Sequence, residues 1–379
     1  MEYKILELVQ SMEKGGRTKR IVETAMGLRQ RGWEVKILSM TPAADWVKTS
    51  YEGQVDWLDL YRRPMLDLRY VFRLAKLIRQ EDITLIHAQC EASYFYGGLA
   101  GKLCRIPVVG TYHRSDLNYF RPNWKLRFYA RLLTRAVAIS NDRMNLMRSG
   151  LNIDADKITL IHGGIELDSY QVLPPAETER LKQEFGMENK RILLSVGHLG
   201  PIKGHQVTIQ AMPAVLEKFP NVVCIIAGDG AAEDYEYLNG MIQDLDLADS
   251  VKLLGQVHNV IEWLNICELF VQPSLEEGFG LVFVEAGACK KPVVSTAVGG
   301  IKDIVIDNET GFLVKPGDVN GLAHAINELL TDPQKATAFG EAAFKRVHNS
   351  FSLVNMAIKY DKLFSQLLGK PEGKTGSAN

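Results

Sequence analysis

Residues 192–205 read ILLSVGHLGPIKGH, and this stretch decides the fold. Ile192 to Val196 is apolar except for Ser195. Gly197 to Gly204 is a glycine-rich turn, and His205 opens a helical pattern that runs to 218. A strand that is apolar almost throughout, rather than alternating, is buried on both faces and belongs to a parallel sheet. Glycines in the turn let the backbone approach a ligand closely. The helix behind them turns its free N–H groups and positive potential toward the loop. Lys203 stands at that helix N-terminus, where a cation is unfavourable unless an anion lies there too. A diphosphate would explain the arrangement; the alternative is an exposed loop lysine.

The same alternation extends in both directions. Downstream come strand 222–227, the turn Gly228-Asp229-Gly230, helix 235–245, strands 251–254, 269–271, 292–295 and 312–314, and helix 319–330. Upstream, strand 5–9 precedes helix 18–31, which carries Ile21, Ala25 and Leu28 on one face and Gly32 past its end. Strand 35–39, helix 66–79, strand 85–88, helix 93–104, strand 107–111, helix 124–134 and strand 136–139 follow. Ser140 then caps a helix that ends at Gly150. Only 168–176, with Pro174-Pro175, lacks periodicity, and it reads as a linker. The fold class is α/β, with two doubly wound Rossmann-like domains in series, 1–170 and 176–351. Ligands bind outside the carboxyl ends of such strands, so the expected site is a cleft between the two domains. Residues 369–379, GKPEGKTGSAN, read as a disordered tail.

A length of 379 residues suits two domains. Apolar residues at 46% and charged residues at 23% exclude a disordered or collagen-like chain. Five cysteines without CxxC spacing argue against a disulfide framework or zinc knuckle and suit a reducing cytoplasm. No apolar run reaches about 18 residues, and Met1 to Ile5 leads straight into a strand rather than a signal peptide. Residues 1–170 carry a net charge of +7 and the remainder −8. The basic half favours an anionic partner; no nucleic-acid module is recognisable, so no nucleic-acid partner is expected.

Two further loops bear on function. Gly15-Gly16 is followed by Arg17, Lys19 and Arg20 in the first helical turn, again cations where an anion would relieve them. The alternative is a plain glycine turn with surface charges. Later, PSLEEGFGLVFVE (273–285) places glycines before a helix that starts near Gly280. Glu277 lies in the loop and Glu285 within an apolar helix, where a carboxylate is costly unless it has partners. Two carboxylates eight positions apart can grip hydroxyls at two ends of one ligand, as ribose hydroxyls require.

Taken in order, GHLGPIKGH (197–205), GDG (228–230), EEGFGLVFVEA (276–286), STAVGGIKDIV (295–305) and NETGFLVKPGD (308–318) resemble family 4 of the retaining glycosyltransferases, which have the GT-B fold. The resemblance spans nearly the whole chain and is strongest from Gly197 to Asp318. It implies catalytic roles for His113, Lys203 and Glu277. Glu277 would hold donor-sugar hydroxyls with the amides of Gly278, Phe279 and Gly280. Leu281 and Val282 amides would reach the donor diphosphate, Lys203 would neutralise the departing charge, and Glu285 would bind ribose. Gly15, Gly16, His198 and Gly228 would line the donor site, and His113 would face the donor sugar from the N-terminal domain. Arg17, Lys19 and Arg20 would serve an acceptor or other anion. The C-terminal helix 352–368 would return to the N-terminal domain.

Three features depart from the family pattern. His198 stands where arginine is usual, and an imidazole is only partly charged at neutral pH. His162-Gly163-Gly164 replaces the common Pro-Asn-Gly, and the first loop is unusually basic. The implied reaction moves a hexose-type sugar from a nucleotide diphosphate sugar, UDP-linked first and GDP-mannose next, to a glycan or lipid-linked acceptor of an envelope or extracellular polysaccharide. Preorganised amides and Lys203 would stabilise the departing phosphate, and no DxD-type pair is placed to hold a metal. Competing readings are a GT-B epimerase, a phosphorylase and a non-catalytic nucleotide-sugar binder. A phosphorylase would need a lysine site for pyridoxal phosphate, and none is identifiable.

The segment 120–135 carries five cations and no acid. As a helix it places Trp124, Phe128 and Leu132 on one face and Arg127, Arg131 and Arg135 on another. Such a helix can lie on an anionic membrane, or it can pack on the sheet with a solvated charged face. The expected location is the cytoplasm, peripheral to the inner face of the cell membrane.

Overall fold

The computed structural model describes residues 3–13, 16–257 and 259–370. The chain forms two units that divide at Gly164 and Ile165, and it returns to the first unit at Leu353. The first unit is built on β1 (Lys4–Val9), β2 (Glu34–Ser39), β3 (Asp56–Asp59), β4 (Leu85–Ala88), β5 (Val108–Tyr112), β6 (Arg135–Ala138) and β7 (Ile158–Leu160). The second is built on β8 (Arg191–Val196), β9 (Val222–Ala227), β10 (Val251–Gly255), β11 (Leu269–Gln272), β12 (Val293–Thr296) and β13 (Gly311–Val314). The sheet orders are β3-β2-β1-β4-β5-β6-β7 and β10-β9-β8-β11-β12-β13, parallel throughout. These are two doubly wound sheets. Each reverses its strand order at one point, between β1 and β4 in the first and between β8 and β11 in the second. The loops leaving those strands diverge there and open a crevice for a ligand.

Alternation along β1 gives each sheet face its own core. Ile5 and Val9 join Leu85, Val109 and Val137, while Leu6 and Leu8 join Ile86 and Tyr94 on the other face. The first face is covered by the helices Gly16–Gln30 and Leu353–Leu368, which pack on each other so closely that a Cβ on Gly27 would stand 2.9 Å from that of Ala357. Phe364 is fully buried there, which contributes about 2–3 kcal/mol. Asp361 anchors the same helix by accepting from Arg31 Nε at 2.7 Å and Trp33 Nε1 at 2.9 Å.

Several segments differ from the sequence reading. Residues 168–176 are fastened to the second unit. Leu173 N–H donates to Asn265 Oδ1 at 2.8 Å, and Ile165 N–H donates to the Phe351 carbonyl at 3.0 Å. Pro175 begins the helix Pro175–Glu184. Proline at a first helical position loses no hydrogen bond, so Pro174-Pro175 starts a helix here rather than breaking the chain. The helix expected over 124–134 ends at Leu132, and Arg135 belongs to β6. The three-arginine face therefore does not form. Arg127 also donates from Nε and Nη2 to the Gly150 carbonyl. Lys370, expected in the tail, places its ammonium 3.8 Å from the Trp33 ring centroid. The rest of that tail, from 371, and Gly15 lie outside the described residues.

Candidate active site

The loops after β8 and β11 flank the switch point of the second sheet and carry most of the expected donor residues. Their bases are joined by Gln272 at the end of β11. Its Oε1 accepts from Val196 N–H at 3.0 Å and from Ser195 Oγ at 3.3 Å. Ser195 Oγ also lies 3.1 Å from His205 Nδ1. Higher up, Leu275 N–H donates to the Ile202 carbonyl at 2.7 Å, so the two loops are tied along their length.

Lys203 ends a short 3-10 turn, Pro201–Lys203, just before the helix His205–Leu216. Its Nζ donates to Glu277 Oε2 at 2.6 Å. Glu277 is 6% exposed and its Oε1 accepts from Gly278 N–H at 3.2 Å. The Gly300 amide holds the Glu277 carbonyl from below at 3.2 Å. A buried carboxylate is tolerated here because the Lys203 ammonium and the Gly278 amide meet it.

The helix Leu281–Ala288 starts after Gly280, whose φ of 93° only glycine adopts readily. The amides of Leu281 and Val282 fall in its first turn, where no helical carbonyl precedes them. Glu285 follows one turn later and its Oε1 accepts from Tyr170 Oη at 2.9 Å. That bond partly offsets the cost of a carboxylate in an apolar helix. Gly228 is another enforced glycine, since a Cβ there would stand 1.7 Å from the Gly197 carbonyl oxygen. His198 is exposed. Its Nδ1 accepts from Gly200 N–H at 3.0 Å, so the neutral ring carries its proton on Nε2. It can offer a ligand an N–H donor without a full charge. Below it, burial pushes the His205 imidazole down to about 4, so this ring is neutral at pH 7.

In the first unit, Gly16 opens the helix Gly16–Gln30 after β1. Lys19 pairs with Glu23 one turn on at 3.8 Å, which relieves part of the unfavourable placement. Arg20 lies in the same stretch of helix; of Arg17 only the helical backbone is described. His113 follows β5 directly, and its Nε2 meets Gln89 Oε1 at 2.6 Å. Gln89 directly follows β4, across this unit's switch point from β1. Among the described residues no group of three His, Cys, Asp or Glu side chains is placed to hold a metal ion.

The family model for glycosyl transferases group 1 matches residues 177–346, and that for glycosyltransferase family 4 matches residues 14–169. The chain belongs to glycosyltransferase family 4. Its two Rossmann-like sheets are the GT-B fold. This family 4 chain is 25% identical over 328 residues to N-acetyl-alpha-D-glucosaminyl L-malate synthase of Bacillus anthracis, covering 84% of each chain. It is 25% identical over 315 residues to the Escherichia coli UDP-Gal:alpha-D-GlcNAc-diphosphoundecaprenol alpha-1,3-galactosyltransferase, covering 80% of each. Anabaena Alr3699/HepE, solved with UDP and glucose, superposes with a TM-score of 0.85 at 25% identity, covering 96% of this chain and all of the other.

Sequence reasoning on this family 4 chain missed four residues of the site's support. Gln272 ends an apolar strand and Gln89 directly follows one, a weak signal. Glu7, whose Oε2 accepts from Gln89 Nε2 at 2.6 Å, is a carboxylate in the middle of an apolar strand, a signal that was there to read. Tyr170 carries none, because its partner is 115 positions away.

Proposed function

We propose that this glycosyltransferase moves a hexose-type sugar from a UDP-sugar to a glycan or lipid-linked acceptor of an envelope or extracellular polysaccharide, with retention of configuration and without a metal ion. The observation that carries the reading is the Lys203–Glu277 pair, set beside the first turn of Leu281–Ala288 at the switch point of the second sheet. Sugar transfer develops positive charge at the anomeric carbon and negative charge on the departing diphosphate. The Leu281 and Val282 amides and the Lys203 ammonium meet the departing charge. Because they are already oriented, they need little reorganisation when the bond breaks. Glu277 and the Gly278, Phe279 and Gly280 amides hold sugar hydroxyls, and Glu285 takes ribose hydroxyls. His198 and Gly228 of the second unit line the donor, and the family likeness adds ligand-contact roles for Gly16 and His113 of the first unit to the proposal. UDP in the HepE structure and the UDP-Gal named for the Escherichia coli relative favour a uridine nucleotide. GDP-mannose is the next donor to try. Retention is part of the proposal through family likeness.

The acceptor side of the reading rests on the first unit. Trp124 and Phe128 point to solvent, at 82% and 42% exposure, while Leu126 and Leu132 of the same helix are buried. A second segment joins them, since Met65, Leu66, Leu68 and Phe72 are all exposed. Between the two segments runs a groove of about 540 Å³ lined by Leu66, Tyr96, Trp124 and Phe128, and by the charged Arg62, Lys125 and Glu91. Exposed aromatics beside cations suit an anionic membrane surface bearing a lipid-linked acceptor. No helix among the described residues is long and apolar enough to cross a membrane. Lys19 and Arg20, on the helix after β1, are proposed as further acceptor or anion contacts, with Arg17 beside them in sequence.

The test is nucleotide release from a panel of UDP-, GDP- and ADP-sugars, with and without EDTA, with thermal stabilisation recorded in parallel. The proposal expects one UDP-sugar to stabilise the protein and to be hydrolysed slowly despite EDTA. A signal abolished by EDTA, or obtained only with another base, overturns the corresponding clause.

A further inference from the structure

Glu7 is wholly buried in the middle of β1, on the sheet face it shares with Ile5 and Val9. The transfer chemistry makes no use of it, and a carboxylate left alone there would cost several kcal/mol. It is not alone. Its Oε1 lies 2.8 Å from Nδ1 of His87 on β4, and its Oε2 accepts from Gln89 Nε2 at 2.6 Å. His87 is itself buried and is fixed from its other side, where Nε2 lies 2.7 Å from Thr111 Oγ1 on β5. Thr111 Oγ1 in turn meets Tyr360 Oη at 3.1 Å, from the helix Leu353–Leu368. Three neighbouring strands and the returning helix thus lock one carboxylate in place.

The lock has a direction. A carboxylate only accepts, so it selects the NH₂ end of Gln89. That amide nitrogen lies over the His87 ring, 3.0 Å from Nδ1 and 3.4 Å from Nε2. The opposite amide orientation would set the Gln89 oxygen against the Glu7 carboxylate, two acceptors in a buried site. With the NH₂ end committed, Gln89 Oε1 faces His113 Nε2 at 2.6 Å and can only accept from it. The proton of a neutral His113 is then on Nε2, and Nδ1 is the ring's acceptor.

We propose that Glu7 is a positioning residue that sets the tautomer of His113 through Gln89, so that the ring meets its ligand as an acceptor from a donating hydroxyl. The ligand clause rests on the transfer reading above; the tautomer clause does not. The consequence for specificity is that a sugar presenting a hydroxyl to His113 is favoured over one presenting a carboxylate there.

The experiment is two-bond ¹H–¹⁵N correlation of histidine-labelled, full-length protein above pH 8, with the His113 signals assigned by their loss in His113→Gln. The wild-type ring is expected in the Nε2–H form. In Gln89→Leu, and in Glu7→Gln, its two nitrogen shifts should move toward a tautomer mixture. Gln89→Leu keeps the test sound if Glu7→Gln fails to fold. An Nδ1–H ring in the wild type, or unchanged shifts in folded Gln89→Leu, overturns the proposal. The same variants are then assayed with the UDP-sugar that the donor panel selects. A fall in kcat/KM of about tenfold supports the ligand clause. Shifted nitrogens with unchanged kcat/KM overturn that clause alone and leave Glu7 as the residue that sets the tautomer.

Discussion

Lys203 Nζ and Glu277 Oε2 stand 2.6 Å apart, joining the loop after β8 to the loop after β11. The pair puts the cation proposed to meet a departing phosphate and the carboxylate proposed to hold sugar hydroxyls within one hydrogen bond of each other. Lys203 is a quarter exposed and Glu277 nearly buried, so the lysine is the partner that can turn toward a ligand.

Lys203→Ala therefore removes the cation proposed for the departing side and leaves Glu277 without it. Steady-state kinetics on the donor should show kcat reduced about 10²–10³-fold. Glu277→Ala should lose a similar factor, and the double variant should lose far less than the product of the two, because the residues act as a unit. Independent, multiplying losses would show that the two residues do not act as a unit.

Tyr170 Oη donates to Glu285 Oε1 and so fixes the carboxylate proposed for ribose. Tyr170→Phe removes the donor but keeps the ring. Donor KM should rise about three- to tenfold with kcat nearly unchanged, since ribose contacts are equally present in ground and transition states. A fall in kcat at constant KM would place Glu285 nearer the reacting bond than the account allows.

His205 couples the C-terminal unit's stability to pH. Its imidazole is pushed down to about 4 by burial from an ordinary value of 6.5. Between those values the unfolded chain holds the proton and the native chain does not, so stability rises with pH. The contribution is complete above about pH 6.5 and is lost as pH falls, by about 3 kcal/mol at pH 4. Hydrogen exchange in β8 and β11 should show this loss, and His205→Asn should flatten it. An equal acid loss in the variant would assign the effect elsewhere.

Trp124→Ser combined with Leu66→Ser removes one exposed apolar side chain from each side of the groove. Binding to anionic phosphatidylglycerol vesicles should weaken about tenfold, while donor hydrolysis in solution stays unchanged. Wild-type binding no stronger than to neutral phosphatidylcholine vesicles would remove the membrane from the account.

The sequence was most legible where one local rule governs. Continuous apolar strands marked both sheets, and the glycines at 197–204 and 278–280 marked the loops at the second switch point. Glu285 stood out as a carboxylate within an apolar helix, although the sequence could not name Tyr170 as its partner. Elsewhere two rules competed. Pro174-Pro175 read as a break because proline is excluded from helix interiors, yet Pro175 sits at the first helical position. Arg135 fitted a helical stripe, but pairing with β5 drew it into β6. Edge strands Asp56–Asp59 and Ile158–Leu160 are short and half-covered, so their apolar signal is thin. The Glu7–His87–Gln89 cluster brings together residues about 80 positions apart through parallel register, which no local pattern encodes.

The most direct test of the central claim, that the switch-point loops of the second sheet bind a nucleoside diphosphate, is calorimetric titration of UDP into the full chain with EDTA present. The account predicts binding that survives EDTA and weakens at least about tenfold in both Lys203→Ala and Glu285→Ala. Affinity unchanged in both variants, or binding that appears only when a divalent cation is added, would contradict it.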